Sequence, residues 1–126
     1  NVNCYFYYKT LDVEAMNSAC AHLLGKQDFT SFSKVHTQTY TNDCVISSAN
    51  WEQKDKMLVF TITADRFLRN MVRAVVGTLL EVGQGKVKAD EIKNIIAKKN
   101  RSKAGVSVPA HALFLTKIEY SKSYNS

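Results

Sequence analysis

The chain has 126 residues and a mass of 14.2 kDa, with 45% hydrophobic and 22% charged residues. That is one domain with room for a single sizeable core, too apolar for a disordered segment and without an apolar run long enough to cross a membrane. Seventeen Lys+Arg stand against eleven Asp+Glu, a net charge of +6, and the charge is one-sided: residues 1–63 carry −1 and residues 64–126 carry +7.

A one-sided basic half suggests an anionic partner, most often nucleic acid, and is also compatible with a plain solvated surface. No charged head followed by an apolar core opens the chain, so no secretory signal is read. The chain begins at Asn1 rather than Met, which reads as a piece of something longer. Cys4, Cys20 and Cys44 are scattered, as are His22, His36 and His111. This pattern predicts reduced thiols in a cytoplasmic protein and no metal site.

In chain order, the aromatic run Tyr5-Phe6-Tyr7-Tyr8 reads as a short strand. Asp12 then caps a helix to about Leu24, with Met16, Ala19, Cys20, Leu23 and Leu24 on one face and Gly25 as its stop. Residues 25–32 have no sustained period and read as a packed loop with two aromatic anchors, Phe29 and Phe32. Asp28 in that loop reads as a structural cap rather than a catalytic acid. A polar, mobile stretch is expected over 33–42. Two strands follow as a hairpin. In the first, Val45, Ser47, Ala49 and Trp51 alternate with Ile46, Ser48 and Asn50. In the second, Leu58, Phe60, Ile62 and Ala64 alternate with their neighbours, and 53–56 is the turn. Helices are predicted over 67–82 and 89–99, and a last strand over 112–120. The fold class is α+β, with an antiparallel-rich sheet and the helices packed on one of its faces.

On a wheel for 67–82, Phe67, Leu68, Met71, Val72, Val75, Val76 and Leu79 form the core face. Arg66, Arg69, Asn70 and Arg73 cluster on the other half, within about 100° of one another. One turn on come Gly77 and Leu80, an unusual continuation for a solvated face. Another element or a ligand should therefore lie against it, leaving Arg73 partly desolvated and in want of a carboxylate or phosphate. Lys98, Lys99, Arg101 and Lys103 make a second basic patch with no acid among them, which reads either as phosphate contact or as a solvated loop. No Gly-rich phosphate loop and no nucleophile motif occurs.

Several motifs together resemble the tRNA pseudouridine synthase A (TruA) family. They are Leu11-Asp12 to Met16, Leu23-Leu24-Gly25-Lys26, and Asp28-Phe29-Thr30-Ser31-Phe32. With them go Phe67-Leu68-Arg69-Asn70-Met71-Val72-Arg73 running on through Gly77 to Gly83, Arg101-Ser102 with Ala104-Gly105, and Pro109-Ala110 with Leu113-Phe114-Leu115. The order and spacing agree from about Tyr8 to Tyr120. The resemblance implies an enzyme that converts uridine to pseudouridine in the tRNA anticodon stem-loop, as a homodimer and with no cofactor or metal. It implies half of the pseudouridine synthase fold, the C-terminal domain. The family's catalytic aspartate lies in a Gly-Arg-Thr-Asp-Ala-Gly-Val segment, which is missing here, so this chain alone should be inactive.

By position, Arg73 matches the arginine that pairs with that aspartate. Leu113 matches the apolar residue beside the target base, and reads equally as a core strand residue. Arg66, Arg69, Lys98, Lys99, Arg101 and Lys103 are the expected RNA-binding cations. Phe67 and Asn70 fall near the same cleft without an assigned role. Ala112 stands where the family commonly has Gly, and Gln27 where it often has His. Two other readings remain open for the chain: a non-catalytic RNA-binding module, or a protein-interaction or dimerisation domain that uses the face of Gly77 and Leu80.

Overall fold

The computed structural model describes residues 2–7, 11–33, 41–55, 57–105, 107, 108 and 114–118. Five strands and three helices follow in the order β1 (Val2–Tyr7), α1 (Val13–Ala21), β2 (Gly25–Asp28), β3 (Asp43–Lys54), β4 (Met57–Ala64), α2 (Met71–Gly83), α3 (Glu91–Lys98) and β5 (Phe114–Ile118). Short 3-10 turns occupy Thr30–Phe32 and Arg101–Lys103. The strands form one sheet in the order β2-β3-β4-β1-β5, and every neighbouring pair is antiparallel. The α+β class is as expected.

The hairpin of β3 and β4 is the longest pairing, with Trp51 opposite Phe60 and their rings 4.8 Å apart. Asp55 turns it at φ 55°, a left-handed conformation that Asp tolerates better than most residues. The simple alternation expected along β3 does not hold. Cys44 and Ile46 are buried, yet so is Trp51, which lies an odd number of residues away. The pairing with β4 slips between Ile46 and Ser48, and this bulge moves one residue out of phase. Val45 therefore faces outward at 39% exposure, while Cys44 and Ile46 share the core face with Ala49 and Trp51.

Asp12 caps α1, its Oδ1 accepting the Ala15 amide at 3.0 Å. The Asn17 side chain ties α1 to the sheet: it accepts the Trp51 amide at 2.7 Å and donates to the Trp51 carbonyl at 3.1 Å. Met16, Ala19, Cys20 and Leu23 are buried as expected, but Leu24 is 43% exposed. The helix ends at His22, so Leu24 no longer follows its period. Gly25, at φ +91°, turns the chain into a strand.

That strand, β2, replaces the expected packed loop. Gly-Lys-Gln-Asp has little strand preference of its own and is held by pairing with β3 from Asp43 to Ile46. The two anchors do pack: Phe29 and Phe32 are fully buried, 6.2 Å apart. Asp28 Oδ1 accepts the Thr30 amide at 2.9 Å and the Thr30 hydroxyl at 2.5 Å. Most of the expected mobile stretch, 34–40, lies outside the described residues.

The helix expected from Phe67 begins instead at Met71, because Asn70 adopts φ 70° and breaks the helical path. Its burial is wider than one face: Ala74, Gly77 and Thr78 are buried along with Met71, Val75, Val76, Leu79 and Val82. Its C-terminal end meets α1, where the Asp12 amide donates to the Gly83 carbonyl at 2.9 Å and Met16 packs on Gly83. In α3, Ile92, Ile95 and Ile96 face the core, and Lys99 at φ 51° ends the helix. Ser31, fully buried, bridges the Ile95 carbonyl and the Asn100 amide.

The bulge has a direct test in paired truncations measured by urea unfolding. Ile46→Ala is expected to cost about 2–5 kcal/mol, as for a buried aliphatic side chain. Val45→Ala should cost less than about 1 kcal/mol. Equal losses would place both side chains in the core and contradict the bulge.

Candidate functional site

Arg66, Arg69 and Arg73 lie along the segment where β4 leaves the sheet and α2 begins. Residues 65–70 are not helical, so the arginine stripe drawn on one wheel does not exist as such. Arg66 instead reaches back to β3, its Nη1 donating to the carbonyls of Thr41 at 2.9 Å and Asp43 at 3.1 Å. Arg69 is exposed, while Phe67 is half-buried against the core.

Asn70 carries the turn into α2. A left-handed residue other than Gly costs about 1–2 kcal/mol, less for Asn, and such positions cluster where function requires them. Its side chain does not cap the helix. It turns away, and Nδ2 donates to Ser107 Oγ at 2.8 Å.

The face of Arg73 and Gly77 was expected to be covered, and the chain's own Gly105 and Val108 lie against this part of α2. The Gly105 amide donates to Thr78 Oγ1 at 2.8 Å, and the Val108 amide donates to the Arg73 carbonyl at 3.2 Å. A Cβ on Gly105 would stand 3.1 Å from the Thr78 Cα and 2.8 Å from the Glu81 Oε1, so the approach is a close one. Gly77 is buried, and Leu80 is half-buried and packed against the core.

Arg73 is half-buried. Its Nε donates to the Val108 carbonyl at 2.8 Å. Among the described residues no Asp or Glu pairs with it. With Nε fixed, the guanidinium plane is set and its Nη edge remains suited to a planar anion.

Arg101 is engaged inside the chain: Nη1 donates to the Gly105 carbonyl at 3.0 Å and Nη2 to Ser107 Oγ at 2.6 Å. Lys98, Lys99 and Lys103 are exposed, and Lys99 Nζ stands 4.0 Å from Asp28 Oδ2, a contact of little energetic weight at the surface. Leu113, with Ala112 and Pro109, lies outside the described residues. Ser107 and the Val108 carbonyl were not singled out in the sequence, and a serine or a main-chain oxygen carries no signal there. Asn70 was read inside the predicted helix and was given no role.

Among the described residues no three His, Cys, Asp or Glu side chains come together as a metal set, and no helix is long and apolar enough to cross a membrane. The three thiols are buried. Burial pushes Cys4 and Cys20 up to about 12, Cys20 against an opposing contact with Trp51. Cys44 rises to about 11 through burial, which outweighs the lowering influence of Arg66.

Comparison with known proteins gives a consistent picture. Residues 19–121 match the family described as tRNA pseudouridine synthase. The chain is 60% identical over 110 residues to the tRNA pseudouridine synthase A of Parabacteroides distasonis, covering 87% of this chain and 44% of that protein. It is 56% identical over 117 residues to that of Bacteroides fragilis, covering 92% and 46%. For Acetivibrio thermocellus the identity is 41% over 116 residues, covering 92% and 48%. The chain thus spans about half the length of these relatives.

The buried thiols predict a pH dependence. Below pH 9 they are protonated in both folded and unfolded chains and have no effect. Above 9.0 the unfolded chain loses protons that the folded chain keeps up to about 12, so stability falls across that window. Urea midpoints for the chain and for Cys4→Ala should converge as pH rises through it. A constant difference would contradict the buried, protonated thiol.

Proposed function

Since this chain belongs to the tRNA pseudouridine synthase family, we propose that it is the C-terminal domain of an enzyme that isomerises uridine to pseudouridine in the tRNA anticodon stem-loop. In this reading the protein works in the cytoplasm as a homodimer, and this domain supplies Arg73, Leu113 and part of the tRNA-binding surface. The observation that carries it is Arg73: a half-buried guanidinium, oriented by the Val108 carbonyl and without an acid of its own among the described residues.

The catalytic aspartate comes from outside these 126 residues, which contain no Gly-Arg-Thr-Asp-Ala-Gly-Val segment. Arg73 faces that carboxylate as a planar two-donor fork. The pairing holds the acid ionised and fixes its position beside a flipped-out uridine. Lysine would keep the charge and lose the fork. The exposed cations Arg69, Lys98, Lys99 and Lys103 then supply the salt-dependent attraction to the phosphate backbone.

The test uses a chimera in which this chain replaces the matching stretch of the Parabacteroides distasonis protein. Pseudouridine formation on tRNA should fall by about 10²-fold or more in Arg73→Ala, the scale of breaking a buried ion pair, with the fold retained. Unchanged turnover would remove Arg73 from the chemistry. For the isolated chain, tRNA affinity should fall steeply with salt, and absence of binding at low salt would contradict the RNA-facing surface.

A further inference from the structure

Arg101 belongs by sequence to a run of cations, the usual mark of a phosphate contact. Its geometry is different. Both Nη groups are engaged within the chain, one on the Gly105 carbonyl and one on Ser107 Oγ. The same Ser107 oxygen accepts Asn70 Nδ2 at 2.8 Å. Two donors from two distant segments therefore converge on one hydroxyl and fill its acceptor capacity. The next residue, Val108, makes both contacts to Arg73: its amide to the Arg73 carbonyl and its carbonyl to Arg73 Nε.

We infer that Arg101, Ser107 and Asn70 form a clamp that positions Arg73, so that Arg101 acts on the reaction through Arg73 and not through the tRNA backbone. The clamp fixes the main chain at 107 and 108 from both sides. Arg101 holds it from the 3-10 turn that follows α3, and Asn70 from the residue that starts α2. With that main chain fixed, the Val108 carbonyl has one location and the guanidinium plane one orientation. A flexible arginine would have to be ordered each time it met the carboxylate, whereas this one is ordered in advance. The catalytic consequence rests on the proposed function, while the clamp is a property of the chain itself.

Two measurements separate these levels. In the 126-residue chain, NMR of the arginine Nε–H groups should show slow solvent exchange at Arg73. Arg101→Lys and Ser107→Ala should each speed it by about 10-fold or more, and Ser107→Thr, which keeps the hydroxyl, should preserve it. Unshifted amides in the sheet would show an intact fold, and unchanged Arg73 exchange in Ser107→Ala would overturn the clamp. In the active chimera, Arg101→Lys and Ser107→Ala should each lower kcat on the order of 10²-fold with KM nearly constant. The double variant should be no worse than either single one, as for residues acting as a unit. The salt slope of tRNA binding should not move. Near-normal kcat in Arg101→Lys, with Arg101→Ala reducing the salt slope by about one, would make Arg101 a phosphate contact and refute the clamp. An inactive parent chimera would refute the proposed function, and Arg73 exchange would still decide the clamp.

Discussion

The Arg73 carbonyl accepts the Val108 amide at 3.2 Å, and the Arg73 side chain returns a bond to the Val108 carbonyl at 2.8 Å. This exchange joins a helix residue to a loop residue 35 positions later. Each such bond is worth only about 1 kcal/mol net, somewhat more for the one from the charged guanidinium. Its effect is geometric. It seats Gly105 and Val108 against α2. The Gly105 approach to Thr78 and the convergence on Ser107 both depend on that seating.

The basic half of the chain sorts into two kinds of cation. Arg66, Arg73 and Arg101 donate to carbonyl oxygens of the chain, and Arg101 also to a hydroxyl. Arg69, Lys98, Lys99 and Lys103 are exposed. The division follows from chemistry. A guanidinium offers five donors in a planar fork and can brace two strands of main chain at once, whereas an ammonium is a strongly hydrated point charge that does better in water. Net charge counts both kinds alike, so the +7 of residues 64–126 does not show which cations are held in place by the chain. In the proposed function the exposed set attracts RNA and the engaged set shapes the surface it meets.

Much of this was legible in the sequence. The cap at Asp12, the buried faces of α1 and α3, the hairpin and the motif that carries Arg73 all follow from local patterns, because local geometry decides them. The departures have long-range causes. Four residues of β2 form a strand only because β3 pairs with them. The bulge near Ser47 depends on the register with β4, which no alternation rule contains. The first turn expected of α2 is lost to one left-handed residue, Asn70, whose side chain is held 37 positions away by Ser107. The pairing of Gly77 with Arg73 did signal that something covers the helix; that the chain's own Gly105 and Val108 lie there was not readable. The contacts of Arg101 were hidden for the same reason: its neighbours in sequence are cations, and its neighbours in space are a carbonyl and a hydroxyl.

The seating of Gly105 and Val108 on α2 is the feature from which the orientation of Arg73 follows, and amide hydrogen exchange in the native chain reads it directly. The Gly105 and Val108 amides, bonded to Thr78 Oγ1 and the Arg73 carbonyl, should exchange as slowly as the buried amides of α2. Exchange of both at the rate of an unprotected loop would mean that the segment does not rest on the helix, and that Arg73 is not held in advance of its partner.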